Sequence, residues 1–325
     1  MQYKLLKSKL PKNRFPKSYE ADGKGLVTSS ARDWTSGFYP GSLLYLYEAS
    51  SDQEIFDEAK VKLQLLDTQK FNKRTHDLGF MMYCSFGNAY RLTKDVKYKE
   101  VLLESAKSLA SRYSPNVKSI QSWDRIKSFV TDDYWDFPVI IDNMMNLELL
   151  FEASKISGNP KYRNVAIQHA NTTLKNQFRE DNSCYHVIDY NPNTGEVRKK
   201  TTLQGYNDDS VWARGQGWAV YGFTMSYRYT KDPAYLKQAE ATAKFFMTNK
   251  NLPEDGIPYW DFKDPSIPNA PRDVSAAMVM ASGLYELYTY TKNKSYLAFA
   301  DKIIASLQSD KYILDPKINA PFIFD

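Results

Sequence analysis

Apolar side chains recur along this chain at three- and four-residue spacing, in segments that come in pairs. The pairs are 41–49 with 53–69, 78–92 with 96–112, 142–156 with 160–178, 211–229 with 233–249, and 273–291 with 295–308. The first member of each pair is almost wholly apolar, aromatic or small, as a helix buried on most sides is. The second carries Lys and Glu along one face, the pattern of an outer helix. A short polar turn followed by an aromatic joins the two members: SSDQEIF, TKDVKY, SGNPKY, TKDPAY and TKNKSY. In two of these turns a proline stands near the first helical position, where it is tolerated. A unit of inner and outer helix, recurring five times, predicts an all-α repeat architecture closed into an α/α toroid. Segment 183–202 (SCYHVIDYNPNTGEVRKKTT) alternates around an Asn-Pro-Asn-Thr-Gly turn and predicts a β-hairpin. The segments 113–141 and 250–272, rich in Trp, Asp and Pro, are expected as long functional loops without structure of their own.

Composition narrows the function more than the fold. With 42% hydrophobic and 25% charged residues, the 325-residue chain is that of an ordinary globular protein. A net charge of +5 without a Lys/Arg run excludes a nucleic-acid footprint and is compatible with an anionic substrate. No apolar stretch reaches membrane length and no signal peptide is visible, so the compartment stays open, with a bacterial periplasm favoured over the cytoplasm. Cys84 and Cys184 make no disulfide framework or metal knuckle, three histidines are few for a metal site, and no metal or cofactor is expected. The aromatic content of 14%, with 24 Tyr and 6 Trp, suits both a core of large helices and a cleft that stacks sugar rings.

Every inner helix opens beside an acid: Asp33, Asp77, Asp142, Asp209 and Asp273. Asp is a favoured N-cap, and Asp33, Asp209 and Asp273 fit that role. Asp77, between His76 and Leu78-Gly79-Phe80, and Asp142, after Val139-Ile140-Ile141, fit it less well. Carboxyl groups in apolar surroundings hold their protons more tightly, which suits a general acid, and paired carboxylates are the usual equipment for glycoside chemistry. Trp34, Trp123, Trp212 and Trp218 offer flat faces for sugar rings, although core packing is the default for a tryptophan. Arg214, set between Trp212 and Trp218 with Gly215, Gln216 and Gly217, can fork onto a carboxylate.

These motifs, taken in order, resemble glycoside hydrolase family 88, the unsaturated glucuronyl hydrolases. The resemblance runs through Asp33-Trp34-Thr35-Ser36-Gly37-Phe38, His76-Asp77-Leu78-Gly79-Phe80, Gln121-Ser122-Trp123 and Ile141-Asp142-Asn143-Met144-Met145-Asn146-Leu147. It continues in Tyr185-His186, Gln204-Gly205, the segment from Trp212 to Trp218, Tyr221-Gly222-Phe223, Pro258-Tyr259-Trp260-Asp261-Phe262 and Arg272-Asp273-Val274-Ser275-Ala276-Ala277. It implies an (α/α)6 barrel over residues 1–325 as a single catalytic domain. Ten helices are legible where that barrel has twelve, the family's first and last falling outside the pattern.

By position, the resemblance assigns the acid and base to Asp142 and the second essential carboxylate to Asp77. Substrate binding falls on Trp34, His76, Trp123, His186, Gln204, Trp212, Arg214 and Trp218. The implied reaction hydrates the C4=C5 enol ether of an unsaturated uronic acid at the non-reducing end of lyase-generated oligosaccharides. The implied working unit is a monomer or weak dimer without nucleic acid or membrane. The alternatives are an unsaturated rhamnogalacturonyl hydrolase, an epimerase-like sugar isomerase, which needs catalytic histidines, and a carbohydrate-binding toroid without catalysis.

Overall fold

The computed structural model describes residues 2–20, 25–127 and 134–313. Its contacts divide the chain into two compact units: Met1–Ser111 with Leu149–Arg163 and Tyr312–Asp325, and Arg112–Glu148 with Asn164–Lys311. Helix α1 (Gln2–Lys9), which the hydrophobic pattern did not give, precedes an antiparallel pair, β1 (Phe15–Glu20) and β2 (Gly25–Ser29). A 3-10 turn, Trp34–Gly37, leads into α2 (Phe38–Ser50), followed by α3 (Gln53–Leu66). A π-helix (Gly79–Gly87), α4 (Asn88–Thr93) and α5 (Val96–Ala110) come next.

The segment expected as a loop over 113–141 holds short strands instead. These are β3 (Tyr113–Ser114) with β4 (Ser119–Ile120), β5 (Ile126–Lys127) with β6 (Tyr134–Trp135), and then β7 (Pro138–Ile140). Helices α6 (Asn143–Ser157) and α7 (Pro160–Asn176) follow, then β8 (Val187–Tyr190) and β9 (Val197–Thr201). The last two strands are the expected hairpin, with β7 added as a third strand. The described chain closes with α8 (Ala213–Thr230), α9 (Pro233–Met247), α10 (Val274–Thr291) and α11 (Lys294–Leu307). Each expected pair is therefore present.

One local device makes all five paired turns. The inner helix ends on a left-handed residue: Ser51, Lys94, Gly158, Lys231 or Lys292, with φ between 56° and 71°. Its N–H donates to the carbonyl four residues back, at 2.7 to 2.9 Å. The preceding hydroxyl (Ser50, Thr93, Ser157, Thr230 or Thr291) accepts from the backbone N–H two residues on, at 3.1 to 3.2 Å. That next residue is Asp52, Asp95, Asn159, Asp232 or Asn293, and its side chain caps the outer helix by accepting an N–H at 2.9 to 3.1 Å. A Ser/Thr-x-Asp/Asn triplet thus ends one helix and starts the next, meeting several of the backbone groups that the two helix ends leave over.

Segment 78–92 departs from the expected α-helix, because its first nine structured residues form a π-helix. The carbonyls of Phe80, Met81 and Cys84 lie under Gly37 and Gly41, and a Cβ on either glycine would collide with them. Close approach of backbone to backbone requires glycine there.

In the second unit a charged cluster cross-ties helices. Arg228 on α8 forks onto Glu286 of α10 at 2.7 Å through Nε and Nη2, and reaches Glu148 at 2.5 Å through Nη1. Tyr221 donates to Glu148 at 3.1 Å and Tyr290 to Glu286 at 2.9 Å. Burial raises the Glu148 carboxyl above its ordinary value, and Arg228 opposes that rise.

Removing the guanidinium leaves two carboxylates facing each other. Arg228→Met should cost about 3 kcal/mol in urea unfolding, the low end for a buried pair because the arginine is 33% exposed. A carboxyl whose folded pKa is raised binds protons more readily folded than unfolded. The deficit should therefore be largest at neutral pH and shrink as pH falls toward the ordinary glutamate value of 4.5. A deficit that does not change with pH contradicts this account.

Candidate active site

The site in the second unit begins with a strand register. Val139 pairs with Ile188 and Ile140 with Val187. Alternate residues serve opposite faces: Val139 and Ile188 pack with Val117, Phe137 and Tyr190, while Ile140 and Val187 pack with Trp135 and Trp123. The ladder continues one step past the strands, with Ile141 N–H donating to His186 O at 3.0 Å. Asp142 is the first polar residue after that apolar run, and the register sets it beside His186. His186 Nε2 lies 3.6 Å from Asp142 Oδ2. The imidazole is buried, whereas the carboxylate keeps 13% of its surface exposed.

The other ring nitrogen fixes the tautomer. Leu203 and Gln204 both donate backbone N–H groups to His186 Nδ1, at 3.0 and 3.1 Å. An Nδ1 that accepts assigns the proton of the neutral ring to Nε2, which points at Asp142. Trp212, at the N-cap of α8, packs its ring on the imidazole at 4.7 Å between centroids. Arg214 lies over the same indole at 5.0 Å, and its Nε is 3.8 Å from Asp273 Oδ2. Buried Gln216 accepts from Cys184 N–H at 2.9 Å and donates to Trp212 O at 3.1 Å, tying the strand that carries His186 to α8.

The first unit holds a second acid with its own histidine. His76, buried, places Nε2 3.1 Å from Asp77 Oδ1, and Thr75 Oγ1 donates to Oδ2 at 2.9 Å. The Asp77 side chain is 15% exposed. Trp34 packs its edge against Phe38 and Phe80, with centroids 5.8 and 5.5 Å away. Asp33 caps the turn that carries Trp34 by accepting from Thr35 N–H at 3.0 Å, and it pairs with Lys17 at 2.8 Å. Burial pushes the Asp33 carboxyl up, but the bonds to Lys17 and Thr35 outweigh it and hold the group below its usual range.

Asp142, His186, Trp212, Arg214 and the backbone of Gln204 thus form one cluster, while His76 and Asp77 form another. Trp123 stacks at 6.2 Å on Trp135, half-buried beside the sheet, and Gln204 is exposed. Trp212 and Trp218 are buried, with protein rather than solvent over most of their surface. Asp273 is the expected cap, accepting from Ala276 N–H at 2.8 Å. Asp209 is not: α8 starts after Trp212, and the Asp209 carbonyl instead accepts from Lys263 Nζ at 2.8 Å. The sequence offered too short a view here, since the turn over 205–210 separates that acid from its helix. Asp261, a fully buried acceptor of four hydrogen bonds, was quoted in a motif without a role; its position between Trp260 and Phe262 was the available sign. Among the described residues, no three His, Cys, Asp or Glu side chains gather into a group that could hold a metal ion, and no helix is long and apolar enough to cross a membrane.

The model of Glycosyl Hydrolase Family 88 matches residues 8–229. An unsaturated glucuronyl hydrolase from Formosa agariphila is 53% identical over 99% of this chain and 80% of its own length. The crystal structure of an unsaturated glucuronyl hydrolase specific for heparin superimposes with a TM-score of 0.93 and 44% identity, over 99% of this chain and 85% of that one. A UGL variant with one aspartate changed to asparagine, solved with dGlcA-Glc-Rha-Glc, superimposes at a TM-score of 0.89 and 30% identity over the same shares. The fold class is accordingly the helical (α/α)6 barrel with small sheets that the family resemblance implied.

Burial separates the two aromatic-rich positions on α8. Trp218→Ala should cost about 3–5 kcal/mol in unfolding free energy, the range for deleting a buried Trp. Arg214, a quarter exposed, should lose no more than about 1 kcal/mol on truncation to Ala. An unchanged unfolding midpoint for Trp218→Ala would place that ring in an open cleft instead.

Proposed function

The chain belongs to glycosyl hydrolase family 88, and we propose that Asp142 is the acid and then the base of its reaction, with Asp77 as the second carboxylate. It is a glycoside hydrolase that removes the unsaturated uronic acid from the non-reducing end of oligosaccharides. The observation that carries the assignment is the strand register that sets a partly exposed carboxylate against a buried histidine of fixed tautomer.

The unsaturated ring is an enol ether, so protonation at C4 is easier than displacement at the anomeric carbon. Protonated Asp142 gives its proton to C4, and positive charge develops on C5 and the ring oxygen. The Asp142 carboxylate formed in that step faces the Nε2–H of His186, which steadies the new anion. The same carboxylate takes a proton from water as the oxygen adds to C5, regenerating the acid. The C5 hemiketal then opens to a ketone, and the hemiacetal left at C1 releases the remainder of the oligosaccharide. Of Arg214 and His186, the quarter-exposed Arg214 holds the uronate end, since both ring nitrogens of the buried His186 already face protein groups. Trp123 and Gln204 shape the binding surface beside that cluster, Trp212 and Trp218 support it from the buried side, and the family resemblance gives substrate binding to Trp34 and His76 as well. The family resemblance gives Asp77, steadied by His76 and Thr75, the part of the second carboxylate, orienting sugar hydroxyls and offsetting the developing charge.

Asp142→Asn keeps the side chain's size and loses both proton transfers. Turnover of an unsaturated disaccharide, followed by loss of enol-ether absorbance, should fall by about 10²–10⁴, the usual worth of a positioned acid-base group. The variant should still bind the disaccharide. Asp77→Asn should also be severely impaired. Near-normal turnover in Asp142→Asn sinks the assignment.

A further inference from the structure

Asp261 lies between α9 and α10, fully buried, with four donors on one carboxylate. Oδ2 accepts from Tyr206 N–H at 3.0 Å and from Ser210 Oγ at 2.6 Å. Oδ1 accepts from Val211 N–H at 3.1 Å and from Lys263 N–H at 2.9 Å. Three of these donors come from the single loop that connects β9 to α8. With three of its four donors in that loop, the loop is what Asp261 holds.

We propose that Asp261 is a positioning residue that sets the tautomer and orientation of His186 by gripping both arms of that loop. On the first arm, Gly205 N–H closes a tight turn onto Thr202 Oγ1 at 2.7 Å. Inside that turn, Leu203 and Gln204 aim their N–H groups at His186 Nδ1. The next residue is Tyr206, whose N–H Asp261 takes. Gly205 admits the approach: a Cβ there would lie 2.7 Å from Thr202 Oγ1, 2.9 Å from Ser210 Oγ and 3.2 Å from Asp261 Oδ2. On the second arm, Asp261 takes Val211 N–H, and the following residue is Trp212, whose ring packs on the imidazole. Two further backbone bonds pin this arm, Phe262 N–H to Val211 O and Ala213 N–H to Trp260 O, both at 2.9 Å. One carboxylate therefore fixes both what donates to Nδ1 and what covers the ring face. With the donors in place, Nδ1 cannot carry the proton, and the proton stays on Nε2, 3.6 Å from Asp142 Oδ2. The catalytic part of this inference rests on the reaction assigned to Asp142 and His186; the structural part does not.

The test uses the full chain labelled with 15N-histidine. In the wild type, His186 should show a protonated Nε2 and an unprotonated, hydrogen-bonded Nδ1. Asp261→Asn keeps the shape but turns an N–H₂ toward donors. Ser210→Ala removes the shortest bond to Asp261, together with the 3.1 Å bond that Ser210 Oγ accepts from Asn207 N–H, and carries the measurement if the asparagine variant does not fold. Both should bring Nδ1–H into the His186 spectrum and lower kcat, with KM changing far less. The asparagine variant should lose about 10- to 100-fold, the range for groups that orient a working ligand or base through hydrogen bonds. In a His186→Ala background, Ser210→Ala should lower kcat no further. An unchanged His186 spectrum, or an undiminished kcat loss in that background, overturns the proposal. Wild-type kcat in His186→Ala alone would instead overturn the part given to His186 in the reaction, while the nitrogen spectrum still reads whether Asp261 holds the ring.

Discussion

The hydrogen bond from Ile141 N–H to His186 O is the constraint on which the second unit's chemistry depends. It extends the β7–β8 ladder by one residue, and both faces of that ladder are packed, so the register cannot slip. A shift of one residue would turn Val139, Ile140, Val187 and Ile188 to the wrong sides. Holding the register holds Asp142 next to His186. Everything else in the cluster then acts on the imidazole: two amides on Nδ1, an indole on its face, and a carboxylate in front of Nε2.

The aspartates of this chain separate by how many donors they already serve. Asp261 accepts four hydrogen bonds without solvent contact, and its capacity is used up by the loop it binds. Asp33 and Asp273 accept backbone N–H groups at helix starts and pair with a cation nearby. Asp142 and Asp77 differ from both kinds. Each stands by a buried histidine and keeps a small window of exposure, so each retains reach toward a ligand.

Much of the scaffold was legible because its information is local. The triplets Ser50-Ser51-Asp52, Thr93-Lys94-Asp95, Ser157-Gly158-Asn159, Thr230-Lys231-Asp232 and Thr291-Lys292-Asn293 carry their own stop and start chemistry within three residues. The hairpin around Asn191 was readable for the same reason. What escaped the pattern depends on distant partners. The π-turns of 79–87 meet Gly37 and Gly41 some forty residues earlier, and β7 becomes a strand only because β8 accepts it. A strand buried on both faces shows an unbroken apolar run rather than alternation, which is why 138–141 read as the edge of a loop. The candidate site was legible as a list of residues through the family resemblance. The pairing of Asp142 with His186, across 43 intervening positions of sequence order, was not, and neither was the place of Asp261.

The central claim is that Asp142 delivers a proton to C4 of the unsaturated ring. It is tested most directly by running the wild-type enzyme in deuterated water and reducing the product ketone at low conversion, before its neighbouring hydrogens exchange. The account predicts one deuterium at C4, placed on a single face, because the proton comes from a solvent-exchangeable carboxyl held in one orientation. A trapped product without deuterium at C4, or the same single-face label arriving at an undiminished rate in Asp142→Asn, would contradict it.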